Sequence, residues 1–274
     1  MDQRVQLFSS IRYDSALAQV PRSKLNHAGW NFVTTSSFYM LDYHRDRILR
    51  AAKYWGWDAA VNALDGDEGL ARVAEFLAAS VPLSQPSSLR VKLTVSEAGI
   101  MGCETSSTPE IALTSLFPET LSRPGKSRTE SRAAAPALQP EYEVVVDSVR
   151  TSPSEYTHYK TTKRDMYDSS RRRAQMDMSG CREVLLVNIE GLVMEGSLTT
   201  PYFWRDDRWV TPSIAAQYSP GLGSGGQDGT TRRWALERGL AVEGDITAES
   251  LAHGEECRLS NGVRGFMSGK VKLS

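Results

Sequence analysis

The sequence predicts a two-lobed α/β (α+β) protein, with a small mixed N-terminal domain and a larger C-terminal domain rich in strands. At 274 residues, the chain is longer than most single compact domains, which favours two lobes or one large α/β domain. Strand and helix patterns alternate in residues 1–102, whereas short strands dominate residues 141–274. Residues 103–140 are rich in Ser, Thr, Ala and Pro with little periodicity, so we interpret them as an interdomain connection that could act as a lid.

The N-terminal domain combines strand patterns with helical ones. Residues 6–13 have a strand pattern, and the alternation of apolar and polar side chains in residues 91–95 indicates a half-buried strand. Apolar side chains recur at helical spacing in residues 38–57 and again in residues 68–81, where Asp67 stands at the capping position. We therefore expect a small α/β domain.

Short strands separated by turn residues make up most of the C-terminal domain. Turns are predicted at Glu190-Gly191, Asp206-Asp207 and Asn261-Gly262. A helix is predicted over residues 230–238, and Gly239 follows it at the usual stop position. The predicted strands are residues 142–146, 184–188, 192–197, 201–205 and 209–211, a strand ending at Ser260 and one near Val271.

The balance of charge gives no reason to expect a nucleic-acid or membrane partner. Lys and Arg number 32 against 33 Asp and Glu, for a formal net charge of -1, so no net field attracts polyanions or anionic lipid. We interpret the basic run Arg171-Arg172-Arg173 as a solvated helix face. No apolar run approaches the length of a membrane span. A small-molecule ligand is expected instead.

The cysteines favour a reducing compartment. Cys103, Cys181 and Cys257 are odd in number and far apart, so they make neither a disulfide framework nor a CxxC metal site. No metal is therefore expected. Residues 1–5 lack the apolar core of a signal peptide. Together these observations predict a cytoplasmic protein.

A glycine-rich segment, residues 221–226, matches the GxGxxG pattern and precedes a predicted helix. Residues 217–220 before it do not form the apolar strand that a dinucleotide fold requires, so nicotinamide or flavin binding is disfavoured. A flexible loop entering a helix is the simplest interpretation. The start of that helix, residues 229–232, offers backbone N–H groups and two hydroxyls, which suit a phosphate without a dinucleotide.

Two charged residues could carry chemistry, although each also has a simple structural explanation. Lys160 lies in residues 159–164, where a strand pattern gives way to a helical one, and lysines in such places are ordinarily solvated. Glu195 follows the apolar residues 192–194 in a predicted strand, so it either faces outward or is buried with a cationic partner. The residues alone do not decide between these alternatives.

Six short segments of the chain match one enzyme family in order and spacing. They are residues 8–12, 44–48, 158–164, 195–197, 225–233 and 259–265. Together they resemble the class IV aminotransferases, which are fold type IV pyridoxal phosphate (PLP) enzymes, and most of all their eukaryotic aminodeoxychorismate lyase branch. The resemblance spans nearly the whole chain outside the connection, and it implies a small α/β domain followed by a larger pseudo-barrel domain that binds the cofactor.

By this resemblance, Lys160 is the lysine that bonds to PLP and later moves the substrate proton. Glu195 would face the pyridine nitrogen and keep the ring protonated, so that the cofactor can act as an electron sink. Arg47 matches the family arginine that grips the cofactor phosphate in H-x-x-R. The resemblance thus implies that Lys160 and Glu195 are catalytic.

The same resemblance places four further residues around the phosphate. Thr230 and Thr231 would stand at a helix N-terminus, with Ser260 and Asn261 in a tight turn, where hydroxyls and backbone N–H groups can hold an anion. Asn261 could instead be only a hairpin residue, because Asn-Gly is a strong turn signal. The two roles are compatible, since a turn directs backbone amides.

Two departures from the bacterial pattern bear on which lysine is used. Lys163 stands where many relatives carry Asn, and residues 199–201 differ from the Asn and apolar residue that usually follow Glu195. We expect Lys160 to be the cofactor lysine because it aligns with the family lysine. Arg164 also lies four residues further on, as in the lyase-like members.

The resemblance implies cleavage of 4-amino-4-deoxychorismate to 4-aminobenzoate and pyruvate, a step of folate supply. An aminotransferase that acts on a small amino acid or amine with a keto acid acceptor would use the same Lys160 and Glu195. A catalytically silent binding protein is disfavoured, because the lysine, the glutamate and the phosphate residues are retained together. Arg12 is a candidate for binding the substrate carboxylates, with a structural role as the alternative. The family implies a homodimer.

Overall fold

The computed structural model describes residues 5–81, 88–125, 140–177 and 180–273. The chain divides into two compact units. Unit 1 comprises residues 1–113 together with residues 159–163, and unit 2 comprises residues 114–158 and 164–274. The chain therefore returns to unit 1 over a short segment that includes Lys160.

Unit 1 is an antiparallel sheet packed with helices, and its strands lie in the order β1-β2-β3. The strands are β1 (Leu7–Tyr13), β2 (Leu89–Val95) and β3 (Met101–Ser107). The α-helices are α1 (Trp30–Val33), α2 (Leu41–Tyr54), α3 (Asp58–Leu64) and α4 (Gly66–Ser80), and 3-10 turns cover Ser15–Arg22 and Asn26–Ala28. The strands and helices predicted from the patterns of residues 6–95 are therefore present, as β1, α2, α4 and β2.

Two details of unit 1 differ from the sequence prediction. β3 pairs along the whole of β2 and carries the sheet to Ser107, beyond the expected boundary at residue 102. Its last four residues are exposed, so this edge strand lacks the apolar alternation that would have revealed it. Asp67 lies in the first turn of α4, because the cap position belongs to Asp65. Residues 126–139 of the predicted connection lie outside the described residues.

Unit 2 is built on an eight-stranded mixed sheet in the order β6-β5-β4-β11-β10-β7-β8-β9. The pairs β4–β5, β4–β11 and β8–β9 are parallel, and the remaining pairs are antiparallel. Its strands are β4 (Tyr142–Val146), β5 (Arg182–Val187), β6 (Val193–Gly196), β7 (Thr200–Arg205), β8 (Arg208–Pro212), β9 (Val242–Gly244), β10 (Glu256–Asn261) and β11 (Gly265–Val271).

The helices of unit 2 are short, and apolar side chains of the strands form its core. The helices are α6 (Glu155–His158), α7 (Asp165–Arg173), α8 (Thr230–Glu237) and a 3-10 turn, Ala248–Ser250, while α5 (Leu113–Leu116) lies where the chain passes from unit 1 to unit 2. The main core cluster is Tyr142, Val144, Leu185, Val193, Phe203, Val210, Ile246, Leu251, Cys257, Leu259, Met267 and Val271.

The basic run at the end of α7 is more than a solvated face. Arg173 binds the buried Asp147 through two hydrogen bonds, from Nε at 2.8 Å and from Nη2 at 2.5 Å. Arg171 donates a longer bond, 3.4 Å, to the Ser197 carbonyl. Two of the three arginines therefore bind groups elsewhere in unit 2, which the helical spacing of the sequence did not indicate.

Two further findings bear on the predictions about membrane spans and cysteines. Among the helices of the described residues, none combines the length and the apolar character that crossing a membrane requires. Cys103, Cys181 and Cys257 are all free thiols.

Candidate active site

Lys160 is held against β1 by main-chain hydrogen bonds within unit 1. Its carbonyl accepts from the Phe8 N–H at 3.1 Å, and the Thr162 N–H donates to the Gln6 carbonyl at 2.9 Å. The Lys160 ammonium lies 5.0 Å from the centre of the Phe8 ring. The segment follows α6 rather than a strand, which corrects the sequence interpretation. Its position is set by pairing with β1, a contact distant in sequence.

Packing distinguishes Lys160 from the neighbouring Lys163. Lys160 is partly buried, whereas Lys163 is exposed. Tyr159 is buried and packs against the end of α2, with its ring 4.6 Å from that of Tyr54 and 5.2 Å from that of Trp55. The backbone of Lys160 is therefore held by contacts of the residues on both sides of it.

Arg47 belongs to a hydrogen-bonded group with Ser9 and His44 in unit 1. The Ser9 hydroxyl lies 2.6 Å from His44 Nδ1, and Arg47 Nη2 donates to the same hydroxyl. Burial, and then the charges of Arg47 and Lys160, lower the pKa of His44 well below its usual value. His44 is therefore neutral near pH 7, and the positive charge around it comes from Arg47 and Lys160. Such a pair of cations suits an anionic ligand.

Arg12 is occupied inside unit 1. Its side chain is fully buried, and it forms hydrogen bonds to Asp14 at 2.7 Å and 3.0 Å, to the Ser88 hydroxyl at 2.5 Å and to the Pro109 carbonyl at 3.0 Å. This geometry favours the structural alternative for Arg12 over the binding of substrate carboxylates.

Glu195 lies on β6 in unit 2, and its side chain is held by a buried tyrosine. Only 8% of Glu195 is exposed. The Tyr167 hydroxyl lies 2.5 Å from Glu195 Oε1, and Gln227 Nε2 donates to that hydroxyl at 2.9 Å. Burial and the nearby Glu195 charge raise the pKa of Tyr167 well above its usual value. Glu195 is thus buried and does not face outward, and the partner that holds it is the phenol of Tyr167.

The glycine-rich segment packs against the strand that carries Glu195. A Cβ on Gly226 would come within 2.4 Å of the Met194 carbonyl oxygen, and a Cβ on Gly225 within 2.5 Å of Pro153. Close backbone approach therefore explains these two glycines. The prediction that the segment is a loop entering a helix is confirmed, because α8 begins at Thr230.

Several buried hydroxyl groups lie at the start of α8. Thr231 and Ser260 are joined through their hydroxyls at 2.8 Å, and the Tyr202 hydroxyl lies 2.9 Å from that of Ser260. Thr230 is also buried. Gly229 at the cap position supplies no side chain, so the first backbone N–H groups of α8 have no side-chain cap. Uncapped amides beside hydroxyls form a suitable cradle for a phosphate.

Asn261 organises the loop between β10 and β11. Its Oδ1 accepts from the N–H groups of Val263 at 3.0 Å and Arg264 at 2.8 Å, and its Nδ2 donates to the Leu198 carbonyl at 3.3 Å. The positive φ of 63° at Gly265 closes this loop, which is longer than the two-residue turn that Asn-Gly favours. Asn261 therefore shapes the loop next to Ser260 through its side chain.

A second buried carboxylate, Glu183, supports the turn that follows Glu195. One Glu183 oxygen accepts from Ser197 Oγ at 2.7 Å, and the other from Thr199 Oγ1 at 2.8 Å and the Leu198 N–H at 3.2 Å. Burial is the main reason that the pKa of Glu183 is raised. These bonds fix the turn whose Leu198 carbonyl accepts from Asn261.

Sequence reasoning missed Tyr167, Gln227 and Glu183. Tyr167 left a usable signal, since it is the one aromatic residue in the polar helix α7. Gln227 lies in a loop within the matched segment 225–233, where no feature indicates its bond to Tyr167, and Glu183, near the start of β5, lies in no motif. Both were recognisable only from hydrogen bonds between residues distant in sequence.

The amino-transferase class IV family matches residues 31–270. The aminodeoxychorismate lyase of Saccharomyces cerevisiae is 38% identical over 143 residues, which is 48% of this chain and 37% of the relative. The alignment thus spans well under half of that protein.

Two solved structures share the fold. An amino-acid aminotransferase from Mesorhizobium loti, itself assigned only provisionally, has a TM-score of 0.66 at 18% identity, covering 97% of this chain and 99% of its own. A fold IV transaminase from Curtobacterium pusillum has a TM-score of 0.57 at 16% identity, covering 97% of this chain and 78% of its own. The predicted fold is confirmed.

Proposed function

Because this chain belongs to the class IV aminotransferase family, whose members are PLP enzymes, we propose that it is a PLP-dependent lyase that converts 4-amino-4-deoxychorismate to 4-aminobenzoate and pyruvate. Its similarity to the yeast aminodeoxychorismate lyase supports the choice of substrate. The observation that carries the chemistry is the buried Glu195, held by the Tyr167 hydroxyl at 2.5 Å. A fixed, buried carboxylate suits a protonated pyridine nitrogen.

Residues of unit 2 fit the phosphate of PLP. The hydroxyls of Thr230, Thr231 and Ser260 and the uncapped start of α8 suit its phosphate. By the family resemblance, Arg47 of unit 1 is proposed as a further phosphate-binding residue. Asn261 contributes by holding the shape of its loop. When bound, PLP withdraws electrons from the substrate carbon next to the amine.

Lys160 has the proposed central role. Lys160 would hold the cofactor through its side-chain amine, and the same amine, once freed, would accept the proton from the substrate carbon next to the nitrogen. Burial, followed by the charges of Arg47 and Lys160, lowers the pKa of His44, so these two charges lie close to the imidazole.

The decisive experiment is to incubate the purified protein with 4-amino-4-deoxychorismate, without any keto acid. We expect 4-aminobenzoate and pyruvate in equal amounts over many turnovers, because a lyase needs no amino acceptor. A transaminase would stop after one turnover. The proposal is wrong if the cofactor band disappears with simple amino acids or amines and returns only with a keto acid, while aminodeoxychorismate is untouched; an aminotransferase then replaces the lyase.

We also propose that the enzyme is a cytoplasmic homodimer. The family resemblance supports the dimer, and the three free thiols are compatible with a reducing compartment. Light scattering of the purified protein should give twice the mass of 30.3 kDa. A monomer mass would contradict the proposed assembly.

A further inference from the structure

Tyr167, Glu195 and Gln227 form a hydrogen-bonded chain in unit 2, and Tyr167 lies outside the six segments that resemble the family. All three are buried, with Tyr167 completely so. Gln227 Nε2 donates to the tyrosine oxygen at 2.9 Å, which leaves the tyrosine proton to be donated elsewhere. The arrangement therefore has a direction, from the amide through the phenol to the carboxylate.

The phenol proton has two acceptors within reach. Glu195 Oε1 lies at 2.5 Å and the Thr157 carbonyl at 3.2 Å. The bond to the carboxylate is the stronger, because it is shorter and its acceptor is charged. Tyr167 remains a donor at neutral pH, since burial and the Glu195 charge raise its pKa.

The tyrosine is itself fixed by its surroundings. The guanidinium carbon of Arg164 lies 3.8 Å from the centre of the Tyr167 ring, and Arg164 Nη2 donates to the Ser197 carbonyl at 3.0 Å. Arg164 and Glu195 are the charged groups that influence the Tyr167 hydroxyl. A ring clamped in this way can hold the carboxylate in one orientation.

We propose that Tyr167 is a positioning residue for the reaction, acting through Glu195: its hydroxyl fixes the orientation of the carboxylate and stabilises its ionised form. This inference rests on the proposed function, in which Glu195 serves the pyridine nitrogen. Loss of the phenol would raise the proton affinity of Glu195. The pyridine nitrogen would then hold its proton less firmly, and the electron sink would be weaker.

A double-mutant cycle of Tyr167→Phe and Glu195→Gln tests this inference, with PLP absorbance and turnover as the two measurements. We expect Glu195→Gln to retain PLP and lose about a hundredfold in kcat, and Tyr167→Phe to lose about tenfold. Each of the two substitutions should shift the visible absorbance band of PLP and the pH midpoint of that band in the same direction. The shift in Tyr167→Phe should be smaller than the shift in Glu195→Gln. Adding Tyr167→Phe to Glu195→Gln should change neither measurement further.

Tyr142→Phe is the matched control, because Tyr142 is also a buried phenol of unit 2 but binds Arg264 instead of Glu195. Its visible band should equal that of the parent. Independent, additive effects of Tyr167→Phe and Glu195→Gln would overturn the inference while leaving the PLP function intact. A parent protein that shows no absorbance change on titration with PLP would overturn both.

Discussion

At the scale of single residues, the proposed chemistry depends on which charges are buried and what holds them. Glu195 and Glu183 are buried carboxylates, and hydroxyl groups donate hydrogen bonds to both. Lys160 is partly buried and its backbone is fixed, whereas Lys163 is exposed. From the sequence alone, both lysines are expected on the surface. Only their different burial in the structure distinguishes them.

We predict that the purified protein is yellow and that Lys160→Ala removes this colour, while Lys163→Ala keeps it. The reason is that the Lys160 backbone is bonded to Phe8 of β1, at 3.1 Å, and aligns with the family lysine. Visible absorbance of the three proteins provides the measurement. Borohydride reduction followed by peptide mapping is the independent check, and a pyridoxyl group on Lys163 would refute the assignment.

His44 should make stability depend on pH in a defined window. Its pKa in the folded protein is lowered below the ordinary value of 6.5, so the unfolded chain binds this proton more tightly. The stabilisation is complete above that ordinary value and is lost as pH falls towards the folded pKa, with a slope of up to about 1.4 kcal/mol per pH unit. Urea unfolding of parent and His44→Gln measures it. Equal slopes in both proteins between about pH 5 and 6.5 would contradict the prediction.

At the scale of elements, backbone packing positions the reactive side chains. Unit 1 presents Lys160 by adding its segment beside β1, and unit 2 presents Glu195 on a strand covered by the glycine segment. The sequence pattern of neither element indicates which distant segment it packs against. Small residues at such contacts allow the backbones to approach closely.

Gly226→Ala should damage the support of Glu195. The new methyl group would lie 2.4 Å from the Met194 carbonyl oxygen, so β6 or the loop must move, at a cost of about 1–3 kcal/mol in the free energy of unfolding. PLP affinity should fall with it. Gly180→Ala is the control, because its nearest neighbour would be at an ordinary 3.4 Å. Parent-like stability and PLP affinity in Gly226→Ala would show that the contact is easily relaxed.

At the scale of the whole molecule, PLP binding should stabilise the fold. A ligand that binds only the folded protein at a concentration of about 100 times its Kd adds about 2.7 kcal/mol. We expect this gain in denaturant unfolding of the parent, and a smaller one in Lys160→Ala, which keeps the phosphate cradle but loses the covalent bond. Inorganic phosphate at equal concentration is the control. No gain with PLP would contradict the proposed cofactor.

The sequence by itself determined the family, the order of most elements and the identity of the candidate residues. Apolar patterns located α2, α4 and most strands of unit 2, because these elements bury apolar side chains, but β9 was not predicted. The exposed edge strand β3 was not predicted, because it buries few side chains and has no apolar alternation. Motif order singled out Lys160 and Glu195 without showing what surrounds them.

Only the tertiary structure decided the partners of these residues. In the structure Arg12 is hydrogen-bonded to Asp14, which favours a structural role for Arg12, and the Tyr167 hydroxyl contacts the Glu195 carboxylate. It also clamped the Lys160 backbone to β1. These contacts join residues far apart in the chain or rest on burial, whereas periodicity reports only which face of an element is apolar. The physical reason is that burial and hydrogen bonding of a charge depend on the fold around it, which no local pattern contains.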